Sequence, residues 1–199
     1  MSIPRSVSFL TTILALALAS PARAQEAKKA PAEKKAAAAP EMPVPKPGPE
    51  HEVLKSDVGT WDATVEMMGP GATPTVSKGV ETNSMVGCLW LVTDFKIEMM
   101  NQPFQGHGVS GYDSGKKKYV GTWVDSMSTG LMLGESTYDP KAKTMTGVME
   151  GPDMSGKVTK MKAVTEWKDA DTRVFTMYGT GPDGKEAPAM RITYKRRKQ

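Results

Sequence analysis

Apolar and polar residues alternate with period two through most of the chain beyond residue 60. Trp61, Ala63, Val65 and Met67 alternate with Asp62, Thr64 and Glu66. Leu89, Leu91, Phe95 and Ile97 share one face, opposite Asp94, Lys96 and Glu98. Met161, Ala163 and Trp167 alternate with Lys160, Lys162 and Glu166, and Met190, Ile192 and Tyr194 with Arg191, Thr193 and Lys195. Neighbouring side chains on a strand point to opposite faces, so each run reads as a half-buried strand. Turn signals separate the runs: Asp113-Ser114-Gly115-Lys116, Asp139-Pro140-Lys141, Lys168-Asp169-Ala170-Asp171 and Pro182-Asp183-Gly184-Lys185. The spacing predicts about ten strands, near 60–68, 75–86, 89–99, 104–112, 117–125, 130–138, 143–150, 157–167, 172–179 and 187–196. One short amphipathic helix precedes them, with Pro49 at its first position and Gly59 stopping it. Strands joined by short turns form an antiparallel up-and-down meander, and closing it into a barrel removes both exposed edges. The expected fold is therefore an all-β barrel with an apolar inside. Charge on one face of many strands sets aside an outer-membrane barrel, which needs a lipid-facing apolar band.

The amino-terminal residues follow a different pattern. Arg5 precedes an apolar run from about Val7 to Ala19, and Ala22-Arg23-Ala24 places small residues at a cleavage site. A spanning helix needs about 20 apolar residues, and this run is shorter. Residues 1–24 thus read as a cleaved signal peptide, giving a periplasmic or extracellular protein with no transmembrane segment left. Residues 25–49 hold seven Ala, six Pro, five Lys and three Glu. Almost nothing there can pack, so this block is expected to be a disordered spacer. Residues 50–199 form the domain, with 19 basic and 19 acidic residues. The net charge of +4 belongs to the ends of the chain, and a neutral domain offers no basic face for nucleic acid.

Candidate chemistry is sparse. Cys88 is the lone cysteine and sits in an apolar setting, so it is expected to be buried and unpaired. His51 is expected on the exposed face of the helix. His107, between Gly106 and Gly108, could hold haem, but no other residue supports a cofactor, and two histidines with one cysteine make no zinc site. Gly106, Gly108 and Gly111 mark a bend or a close backbone approach rather than a phosphate loop. Asp113 suits a turn, bonding backbone amides two residues on. Tyr119, Gly121, Trp123 and Asp125 fall on one strand face; Asp125 either lines a pocket or caps a turn, and the cap is preferred. Residues 50–199 contain 13 Met against five Leu and two Ile. Thioethers bind Cu(I), but Met67 and Met68, like Met99 and Met100, face opposite ways on a strand. Core filler is the preferred reading of the methionines, although Met145 and Met149 share a face.

Leu54-x4-Gly59-Thr60-Trp61 resembles the opening of lipocalin-type and other calycin-like barrels. The resemblance implies that Trp61 plugs a closed end beneath a late basic residue, Arg191 or Arg196. Gly59-Thr60-Trp61, Gly106-x-Gly108-x2-Gly111-Tyr112-Asp113, Tyr119-x3-Trp123-x-Asp125 and Tyr194-Lys195-Arg196 occur in this order. Together they resemble a family of exported bacterial proteins known only as domain of unknown function 1579. That resemblance implies a barrel over about residues 50–197 and brings no activity. The leading expectation is a non-enzymatic binder of a small apolar or amphipathic ligand, with His107, Tyr112, Tyr119, Trp123 and Asp125 as candidate contacts. Gly59, Trp61, Gly111, Asp113 and Arg191 are expected to be structural. The alternatives are an envelope domain without a ligand, and a hydrolase or lyase using Asp113, Asp125 and His107, for which no catalytic motif is present.

Overall fold

A computed structural model describes residues 44–69, 73–99, 101–152, 156–181 and 184–198. The expected signal peptide and most of the expected spacer lie outside the described residues. One helix, α1 (His51–Ser56), precedes ten strands. These are β1 (Gly59–Met67), β2 (Thr75–Val86), β3 (Trp90–Met99), β4 (Gln102–Asp113), β5 (Lys118–Asp125), β6 (Met132–Asp139), β7 (Thr144–Pro152), β8 (Val158–Asp169), β9 (Thr172–Thr180) and β10 (Glu186–Arg196). Each strand pairs antiparallel with the next, and β1 pairs with β10, which closes the barrel. The ten expected strands are all present, and closure leaves no sheet edge. The helix starts later than expected: Glu50 is its N-cap, and Pro49 lies in the turn before it, where its carbonyl accepts from the Glu52 amide.

Register decides which side chains face inward, because directly paired residues share a face. Trp61 is fully buried, which fixes the inward set on β1 as Trp61, Ala63, Val65 and Met67. Pairing carries this parity round the barrel, from Ala63 to Tyr194, Tyr194 to Arg173, and Arg173 to Trp167. Trp61, Ala63, Val65, Phe95, Ile97, Ile192 and Tyr194 form one buried cluster. Val53 and Leu54 of α1 join Leu91 and Tyr119 in a second cluster across one end. His51 packs into this end, edge-on to Tyr112 at 6.3 Å, and is buried. The exposure expected for it fails because the whole inner face of a six-residue helix is needed to cover the barrel mouth. Cys88 is exposed, since it occupies the β2–β3 turn rather than a strand, so its apolar neighbours do not enclose it.

Two of the glycines provide close approaches. Gly106 lies under the inward Trp123 ring, where an added Cβ would come within 2.1 Å of Trp123 Cζ2. Gly111 lies under Trp90 on the outer face, with Trp90 Cε3 at 2.4 Å from an added Cβ. Each glycine lets a tryptophan lie flat on β4. Gly106→Ala is expected to destabilise the domain by about 1–3 kcal/mol through overpacking. Adding Trp123→Leu should recover much of that loss in urea denaturation. Full stability in Gly106→Ala alone would contradict the packing.

Candidate functional site

The α1 end of the barrel is closed by an ionic plug. Arg173 on β9 is buried, with Nη1 3.1 Å from Asp57 Oδ2 and Nη2 bonded to Glu81 Oε1. Its guanidinium lies against the rings of Tyr194 at 4.1 Å and Trp61 at 4.9 Å. Trp61 Nε1 and Asn83 Nδ2 both donate to the Asp57 carbonyl, at 2.9 and 3.1 Å. Asn83 Nδ2 also donates to Glu81 Oε1 at 2.7 Å, and Trp167 Nε1 to Asp57 Oδ1 at 2.8 Å. Burial raises the Asp57 carboxyl above its usual range despite the pull of Arg173. Burial opposes the charge on Arg173, yet Asp57 and Glu81 more than offset it, so its pKa is raised. Tyr194 is pushed well up by burial and by Glu81, and stays a neutral phenol.

Arg196 also stacks over Trp61, at 4.0 Å. It donates to the carbonyls of Val58 at 2.6 Å and Ser56 at 2.5 Å, tying the end of α1 to β10. Arg191 does not share this role. It pairs with Glu66 across β1 and faces outward with it, 3.9 Å from Glu66 Oε2. Gly59, at φ 125°, gives the backbone reversal between helix and β1, and Arg196 Nη1 lies 3.0 Å from where its Cβ would be.

Beyond the plug, the two sides of the lumen differ. Ala63, Val65, Phe95, Ile97 and Ile192 are buried against one another. On β5–β8, by contrast, most inward residues remain partly exposed, among them Gly121, Gly134, Ser136, Gly147, Met149, Met161, Ala163 and Thr165. At Gly134 an added Cβ would meet no atom nearer than 3.9 Å. The floor of this side is aromatic. Tyr112, Tyr119, Tyr138 and Trp167 run edge to face at 5.2, 6.5 and 5.5 Å. The Tyr119 hydroxyl donates to the Glu50 carbonyl at 2.8 Å, and burial, helped by Glu50, pushes its pKa up to about 12. The opposite end is rich in methionine: Met132, Met149, Met161 and Met177 all face inward and are partly exposed.

The five expected contacts divide. Tyr112 and Tyr119 stand on the floor, and Trp123 packs on β4 beside Phe95 at 6.4 Å. Asp125 faces inward but is engaged as a cap, accepting from Trp123 Nε1 at 3.1 Å and the Met127 amide at 2.9 Å. His107 is a correction. It pairs with Asp94 on the outer face, Nδ1 to Oδ1 at 2.9 Å, because the inward positions beside it are Gly106 and Gly108. Haem held by His107 in the lumen is thereby excluded. Asp113 accepts from the amides of Gly115 and Lys116 at 2.9 and 3.0 Å, as a turn residue does. It stands beside Lys118, at the other end of β5 from Asp125, so Asp113, Asp125 and His107 do not converge. Met145 stands on the floor and Met149 two inward positions away, with Gly147 between them. Among the described residues no group of three or more His, Cys, Asp or Glu could hold a metal ion. No helix among them is long and apolar enough to cross a membrane.

Asp57, Glu81, Asn83 and Arg173 were not singled out in the sequence. The signal was present in β2, where Glu81 and Asn83 take inward parity from Met85. Two depressions lie apart from the lumen wall. One of about 790 Å3 is lined by groups of both signs, among them Asp62, Lys78, Lys96, Glu98 and Arg197; the other, of about 240 Å3, lies beside His107.

These features define a closed ten-stranded antiparallel barrel, plugged at one end and lined along β5–β8 by small residues and methionines. The chain belongs to the family described as "Protein of unknown function (DUF1579)", which matches residues 46–196. No curated protein matches it. The crystal structure of Rv2717c from M. tuberculosis is similar, with 12% identity, a TM-score of 0.58, and coverage of 76% of this chain and 99% of that one. The S-type phycobiliprotein lyase CPES from Guillardia theta is also similar, with 14% identity, a TM-score of 0.53, and coverage of 75% and 93%. At such identities the likeness establishes the barrel and carries no activity.

Arg173→Met is expected to cost about 3–5 kcal/mol, because it leaves two buried carboxylates without a cation. Glu81→Gln added to it should restore part of that stability in denaturant titrations. A single variant as stable as the parent would contradict the plug.

Proposed function

We propose that this protein is a non-enzymatic binder that takes a small apolar or amphipathic molecule into the lumen along β5–β8. The observation that carries this reading is the room at Gly134, where an added Cβ would meet only ordinary contacts at 3.9–4.0 Å, in a wall of small residues and methionines. A core-filled envelope domain would have bulky residues there, as the β1–β3 wall does. Methionine suits such a chamber, since its flexible thioether adapts to a ligand's shape. Concave apolar cavities inside barrels are common small-molecule sites. We place the protein outside the cytoplasm, released by cleavage after Ala24 and carried on the 25–49 spacer. N-terminal sequencing of the exported protein should then begin at Gln25, and a retained Met1 would contradict export by cleavage.

The binding reading is tested with N-phenyl-1-naphthylamine, an uncharged apolar dye that brightens in apolar surroundings. The full mature chain should bind it saturably. Gly134→Leu places a bulky side chain where an added Cβ meets only ordinary contacts, and should leave the melting temperature unchanged or slightly raised. Its dye affinity should fall by about tenfold or more. No saturable binding by the parent, or equal binding by the variant, would contradict the reading.

A further inference from the structure

The inward positions of β3–β8 fall into layers when counted from the plugged end. The first layer is Leu91, Tyr112, Tyr119, Tyr138, Met145 and Trp167. The second is Thr93, Ser110, Gly121, Ser136, Gly147 and Thr165. Six successive strands thus place only small residues at one level, and four of the six carry a hydroxyl. All six remain partly exposed although they face inward, and no other group among the described residues engages the four hydroxyls. No charged side chain stands in this belt. The nearby guanidinium of Arg173 is already held by two carboxylates, and Asp125, farther along β5, is held by Trp123 and the Met127 amide.

Resting on the lumen being a binding chamber, we infer that its ligand is a neutral amphipath: an uncharged, oxygen-bearing head on the hydroxyl belt and an apolar body among the methionines. A hydroxyl both donates and accepts, so the belt matches an alcohol or a carbonyl. A carboxylate head would be stripped of water with no free cation to meet it, beside a plug whose two acids outnumber its one buried arginine. An ammonium head would lose its water equally, and the plug's carboxylates are already engaged. A wholly apolar molecule would leave the hydroxyls unpaired when it expelled their water.

The experiment is displacement of N-phenyl-1-naphthylamine from the full mature chain by decanol, 2-decanone, decanoate and decylammonium at neutral pH. Decanol or 2-decanone should displace the dye at a concentration about tenfold or more below either ion, and the ranking of these two identifies the preferred head. Ser136→Ala/Thr165→Val should weaken the neutral probe by about tenfold while dye affinity is kept or raised. Ser110→Ala, read in the same way, serves if the double variant fails to fold. If the dye binds but an ion matches the neutral probes, or hydroxyl removal changes nothing, this inference falls and the binding reading stands. If the dye does not bind the parent, both fall.

Discussion

A single buried guanidinium organises one end of this barrel. Arg173 joins β9 to the α1–β1 link through Asp57 and to β2 through Glu81, and it stacks against rings from β1 and β10. Four strands and the helix therefore meet on one charge. A barrel this wide cannot fill its own end with aliphatic side chains, especially with two Ile and five Leu in the whole domain. A planar cation with five donors against two aromatic rings fills the space and binds two acids. Such a cluster is costly to desolvate, so its value lies more in fixing which strands meet than in net stability.

The plug also sets the shape of what lies beyond it. β10, β1 and β3 carry the bulky inward residues that pack into the main buried cluster. The strands across the barrel carry glycine, serine, alanine and threonine at their inward mid-height positions. The inward face is thus bulky on one side and lined by small residues on the other. Methionine, abundant because Leu and Ile are scarce, lines the unplugged end of the β5–β8 side. On the proposed function, filler and ligand-lining cease to be alternatives there, since a flexible apolar side chain suits both.

The strands were legible because alternation is a local property, and the turn signals between them are local too. Trp61 and Arg196 were legible through the helix–Gly–Trp opening and the basic end of the last strand. What failed was parity across strands. His107 reads as an inward candidate until β4 is registered against β3. Gly106 then falls opposite the inward Phe95, and His107 falls opposite the outward Asp94. Arg173, Asp57 and Glu81 were invisible for a related reason. Each looks like an ordinary surface charge, and only barrel closure brings together residues 57, 81 and 173. The hydroxyl belt has the same origin, since its six members come from six strands and form no motif along the chain.

The proposed chamber in the lumen is tested most directly by carbon-13 methyl spectra of methionine-labelled protein, recorded with and without N-phenyl-1-naphthylamine. The methyls of Met132, Met149, Met161 and Met177 should shift together as the dye saturates, while that of Met127, exposed in the β5–β6 turn, stays in place. Saturable binding that moves Met127 and leaves those four unmoved would show that the dye sits on the outer surface, and would contradict a chamber inside the barrel.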